Sequence, residues 1–116
     1  MKTHELTNVQ LDWAVAQCEK VQIVHSRENG WWETSDPCYA EPNDPHVWSP
    51  STNWAQGGPL IEREKIEVFH ERNEWGALIN GNFEFNCCVT PLFAAMSCYV
   101  ASKLGYDIWI PEALER

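Results

Sequence analysis

Basic residues are scarce: eight Lys and Arg stand against seventeen Asp and Glu in 116 residues, a formal charge of -9. Binding along a nucleic-acid backbone depends on clustered Lys and Arg, so this balance speaks against a direct nucleic-acid partner. The acids are spread evenly, eight before residue 60 and nine after, which reads as a solvated surface and not as an imitation of a phosphate chain. Long apolar runs are missing too. No stretch reaches the about 18 residues of a membrane span, and the opening Met1-Lys2-Thr3-His4-Glu5 lacks the apolar segment of a secretory signal. The expectation is a cytoplasmic protein, in the cytosol where it is made, with no membrane contact. The five cysteines, Cys18, Cys38, Cys87, Cys88 and Cys98, are odd in number and form no C-x-x-C pair, and the four histidines form no H-x-x-x-H pair. Reduced thiols, no structural disulfide, no metal and no cofactor are therefore expected. The G-x-S-x-G elbow of many hydrolases is also absent.

What is present points to one α+β domain over residues 1–116, because a chain of this length with 44% hydrophobic residues supports one core and not two. Thr7-Asn8-Val9-Gln10 fits a capping box, with Leu6 and Leu11 at the positions of a hydrophobic staple. Leu11, Ala14, Val15 and Cys18 then recur at helical spacing, predicting a helix over 8–19 with one buried face. Val21 to His25 reads as a short strand. Residues 26–53 carry four prolines and three tryptophans, a turn-rich composition whose aromatics Trp31, Trp32, Tyr39 and Trp48 predict a packed connection. Gly57-Gly58-Pro59 reads as a flexible pair before a short helix running from Pro59 to about Lys65. Ile66–Glu71 and Trp75–Ile79 form the expected antiparallel hairpin around Arg72-Asn73-Glu74; beyond it either Phe83 and Phe85 extend the sheet or Asn80-Gly81-Asn82 begins an irregular loop. Thr90-Pro91 opens, and Gly105 closes, a final helix with a single charge, Lys103. Its large apolar face and the small face of Ala94, Cys98 and Ala101 predict burial on both sides. The fold expected is thus a small sheet with a hairpin, packed against an N-terminal and a C-terminal helix.

The stretch Trp48 to Pro59 contains twelve residues and no charge. Hydroxyls and amides fix a ligand by direction, and aromatic rings cover it with an apolar face. This makes Trp48, Ser49, Ser51, Thr52, Asn53, Trp54, Gln56, Gly57 and Gly58, with Thr90, the candidate ligand-binding residues. A helix opening at Pro59 would add an anion-favouring end behind the glycines. The competing reading is scaffolding, since Ser, Thr, Asn and Gly are ordinary cap and turn residues.

The segments SPSTNWAQGGPLIERE (49–64) and TPLFAAMSCYVASKLG (90–105), with MKTHELTNVQLDWAVA at the start, resemble NinX, a family of small proteins of tailed phages and prophages. Asn53 departs from the Asp common at that place in the pattern. The resemblance implies a phage setting and assigns no activity. Set beside the residues, it favours a non-enzymatic phage accessory protein that binds a small host molecule, a nucleotide-like signal among them, in the polar loop. The alternative is a protein-interaction module that uses exposed tryptophans to bind a host or phage protein, and a small hydrolase is a weaker third. A homodimer would help to wall a deep pocket, with the small face of the last helix as its seam.

Overall fold

The computed structural model describes residues 2–25, 32–34, 47–79 and 82–111; Trp31, Cys38, Tyr39 and the Asn80-Gly81 pair lie outside the described residues. The capping box forms as expected. Thr7 Oγ1 accepts the Gln10 N–H at 3.3 Å and Gln10 Oε1 accepts the Thr7 N–H at 3.0 Å, which satisfies donors that a bare helix end leaves open. The helix so begun, α1 (Asn8–Glu19), buries Leu11, Ala14 and Val15 and ends at Lys20 in the left-handed region.

A three-stranded antiparallel sheet follows, β1 (Ile23–His25), β2 (Trp32–Thr34) and β3 (Val47–Trp48), in that order. Two of its strands fall inside the segment read as irregular. Tertiary bonds to β3 explain why periodicity missed it: Gln56 Nε2 donates to the Val47 carbonyl at 2.5 Å, and Trp48 Nε1 donates to the Asp12 carbonyl at 2.8 Å.

The main correction concerns α2 (Trp54–Glu64), which starts five residues before Pro59. Asn53 is its N-cap, with Oδ1 accepting the Ala55 N–H at 2.9 Å. Gly57 and Gly58 are helical residues, and the anion-favouring end expected at Pro59 stands instead at Asn53. Two features let a proline sit inside this helix. Gly58, which precedes it, has no Cβ to clash with the pyrrolidine ring, and Ala55, whose carbonyl loses the proline N–H, is exposed to water.

The hairpin is sharper than expected. Between β4 (Glu67–Glu71) and β5 (Glu74–Ile79) only Arg72 and Asn73 remain, at φ 54° and 65°, the left-handed pair that a two-residue turn matched to strand twist requires. β6 (Asn82–Cys88) completes this second sheet in the order β4-β5-β6, with irregular register against β5. The last helix, α3 (Pro91–Leu104), has Thr90 Oγ1 accepting the Phe93 N–H at 3.1 Å. It packs on the second sheet and also against α1 and α2. Ala94 to Ala101 are all buried, so the small face of Ala94, Cys98 and Ala101 is covered by the chain itself. Leu11 and Val15 of α1, Leu60 of α2, Ala77 and Ile79 of β5 and Met96, Tyr99 and Val100 of α3 share one core. The chain is therefore α+β, as expected. Among the described residues no helix is long and apolar enough to cross a membrane.

Candidate functional site

The first turns of the three α-helices converge on one open cleft of about 670 Å³, lined by Leu6, Thr7 and Asn8 at the start of α1, Ser51, Thr52 and Trp54 at the start of α2, and Cys88 through Phe93 at the start of α3. Its volume lies in the range of small-molecule sites. None of the lining side chains is charged. None of the three helices carries an acid in its first turn, although acids outnumber bases about two to one in the chain. The caps are the neutral Thr7, Asn53 and Thr90, so the positive ends of three helix dipoles are left without a carboxylate.

Of the residues singled out from the sequence, Ser51, Thr52, Trp54 and Thr90 line this cleft. The others hold the loop in place. Ser49 is half-buried, its N–H donating to Gln56 Oε1 at 2.7 Å and its carbonyl accepting the Asn53 N–H at 2.8 Å. Gln56 thus bonds both sides of the loop and Asn53 caps α2. Trp48 is pinned to α1 through Asp12. A Cβ at Gly57 would stand 2.5 Å from Leu92 Cδ1 and closer still to the Pro50 carbonyl oxygen, so only glycine lets α2 approach the loop and α3 here. Gly58 is less confined, with Trp54 the one neighbour near its missing Cβ.

Ser51 differs from the rest. It is 1% exposed, yet its Oγ has no hydrogen-bond partner among the described residues. Its backbone N–H donates to Asp12 Oδ1 at 2.8 Å, and its side chain also acts on that carboxyl, favouring the charged form. A buried polar atom left unpaired lowers stability, which makes this hydroxyl the cleft's most informative atom. Burial pushes the Asp12 carboxyl up to about 7, against the opposing effect of the Ser51 bond. Asp12, Asn8 and Leu92 were not picked out from the sequence. The caps Thr7 and Thr90 were legible, but their meeting is a property of the tertiary fold.

The opposite ends of the helices carry the charges. Arg63 Nη1 and Nη2 donate to Glu19 Oε1 and Oε2 at 2.8 and 2.7 Å, and Arg63 Nε donates to Glu64 Oε2 at 2.9 Å. Lys103 Nζ lies 3.3 Å from Glu64 Oε1, and the Tyr99 hydroxyl donates to Glu19 Oε2. The Arg63 guanidinium holds both carboxyls below their usual range. Burial pushes the thiols of Cys18 and Cys98 up, to about 11 and about 12, so they stay protonated and weakly nucleophilic at neutral pH. Among the described residues no group of three His, Cys, Asp or Glu is placed to hold a metal ion.

Comparison with known proteins agrees with the resemblance. Residues 2–103 match the family model described as Bacteriophage P22, NinX, and the chain belongs to that family. No curated protein matches it.

Proposed function

For this member of the NinX family we propose a non-enzymatic accessory role in which the cleft at the three helix N-termini binds a small molecule of the host cell. The observation that carries this reading is an open cleft of about 670 Å³ with an uncharged lining that includes Ser51, a buried residue whose hydroxyl has no partner in hydrogen-bond geometry among the described residues. A chain that keeps such a group forgoes stability, and functional sites are where that is commonly tolerated. Trp54, 55% exposed at the wall, offers a ring face on which a flat ligand would lie.

A second reading draws on the rim, where Val89, 91% exposed, lines the same cleft as Trp54. Exposed apolar groups around a cleft also suit a partner protein, and tryptophan is a frequent anchor. The two are separated by purifying the protein from infected cells and analysing what it releases by mass spectrometry. The ligand reading expects a stoichiometric small molecule, lost from a folded Trp54→Ala variant. Recovery of a protein at stoichiometry with no small molecule would favour the interface reading.

A further inference from the structure

We propose that the open edge of β4 docks an extended, basic segment of another protein, added as a further strand to the β4-β5-β6 sheet. No residue of β4 lines the cleft, so this surface does not rest on the ligand reading above. β4 stands at one edge of its sheet and, among the described residues, pairs with β5 alone. All five of its residues, Glu67 to Glu71, pair with β5 without a bulge. The other described edges are less suited to receive a strand: β6 is irregular in register, and β1 and β3 are 3 and 2 residues long. Native chains commonly blunt an open edge with Lys, Pro or a bulge. β4 has none of these.

The ladder fixes which backbone groups are available. Across a two-residue turn the closing pair, Glu71 and Glu74, exchanges ladder bonds, and so in alternation do Phe69 with Gly76 and Glu67 with Leu78. The N–H and C=O of Val68 and His70 therefore point outward, and neither residue has a further backbone partner among the described residues. Val68 packs against the core, so alternation sets Glu67, Phe69 and Glu71 together on the opposite face. Glu67 and Glu71 are exposed and Phe69 is half-buried. Charge selects the occupant. Glu67, Glu71 and Glu74 have no ion-pair partner among the described residues, and Glu71 lies directly opposite Glu74, a like-charge pairing that costs stability on a sheet. An antiparallel strand centred on Phe69 would bring an apolar residue opposite that ring and one side chain opposite each of Glu67 and Glu71. Basic residues at those two places would meet both carboxylates and offset the Glu71–Glu74 repulsion. A second copy of this chain in the same register would instead set Glu67 opposite Glu71 of that copy at both ends, which disfavours self-pairing.

The test is fluorescence anisotropy of the full chain with two labelled synthetic peptides, Thr-Lys-Thr-Val-Thr-Lys-Thr and Thr-Glu-Thr-Val-Thr-Glu-Thr, joined to amide hydrogen exchange. The lysine peptide is expected to bind about tenfold more tightly than the glutamate peptide, and its binding should slow exchange at the Val68 and His70 amides. His70→Pro removes an outward N–H that the β4–β5 ladder does not use, a place where an edge strand accepts proline. That variant should stay folded and bind the lysine peptide about tenfold more weakly. Replacing Glu67 and Glu71 together by Lys, both at exposed positions, should reverse the preference between the peptides and serves as the test should His70→Pro not fold. Failure of the lysine peptide to bind, equal binding of the two peptides, or binding without protection of Val68 and His70 overturns the proposal. So does a dimer in sedimentation that His70→Pro dissociates, since a second copy would then occupy the edge.

Discussion

The two ends of the same three helices are built differently. At the C-terminal ends, Glu19, Arg63, Glu64, Tyr99 and Lys103 satisfy one another in a single network. Glu19 sits at the end of α1 where a carboxylate is disfavoured by the dipole, and the two-pronged contact from Arg63 offsets it. At the N-terminal ends the first turns carry no acid, the three caps are neutral, and the buried Ser51 hydroxyl has no partner in hydrogen-bond geometry among the described residues. One end is complete within the chain, and the other has capacity left over. In a protein whose stability is the small difference of large terms, such leftover capacity is where a binding function is best sought.

The element that joins the two ends gives the largest expected effect. Met96, 0% exposed in the middle of α3, should not tolerate Asp: burying an unpaired carboxylate costs on the order of 4 kcal/mol or more. Circular dichroism should find Met96→Asp unfolded, and a cooperatively folded variant would contradict the central place given to α3. Next is Asp12. Its folded value, about 7 against 3.8, is raised, so its contribution to stability is full below about pH 4 and lost as pH rises through 7. The shift of about 3 units corresponds to roughly 4 kcal/mol. Asp12→Asn keeps an oxygen for the Ser51 N–H and removes the ionisation, so denaturant titrations should show it gaining on the parent between pH 4 and pH 8. A constant difference across that range would mean that Asp12 titrates normally.

Gly57→Ala probes the close approach of α2 to the loop and α3. Displacing Leu92 or the Pro50 carbonyl is expected to cost roughly 1–3 kcal/mol, measured by thermal denaturation, and an unchanged melting temperature would show the approach to be looser than described. The smallest effect belongs to the charged end. Arg63 is 51% exposed, so Arg63→Ala should cost about 1 kcal/mol or less and the cost should shrink in high salt. A larger, salt-independent loss would make that end the one that holds the helices together.

Much of the fold was legible because its signals are local. Thr7 with Gln10, Thr90 with Pro91, and the hairpin around Arg72 and Asn73 are each decided within a few residues. The start of α2 was misplaced because Gly-Gly-Pro normally interrupts a helix. The competing signal, Asn53 three residues before Gln56, has the spacing of a cap, but Gln56 turns instead to Ser49 and Val47. The candidate site was legible only in part. Ser51, Thr52, Trp54 and Thr90 were within reach because polar and aromatic residues cluster in the sequence. Asn8 and Leu92 join them only through the packing of α1 and α2 on α3, and neither Asp12's burial nor Ser51's lack of a partner has any trace in composition.

Ser51→Ala tests most directly whether the open end is kept for binding, because scaffold and site respond in opposite directions. Removing a buried hydroxyl that has no partner in hydrogen-bond geometry among the described residues should leave the melting temperature unchanged or raise it. The small molecule retained from infected cells, quantified by mass spectrometry on the same preparation, should fall by about tenfold. A lower melting temperature with retention unchanged would show that Ser51 serves the fold alone and would contradict the account.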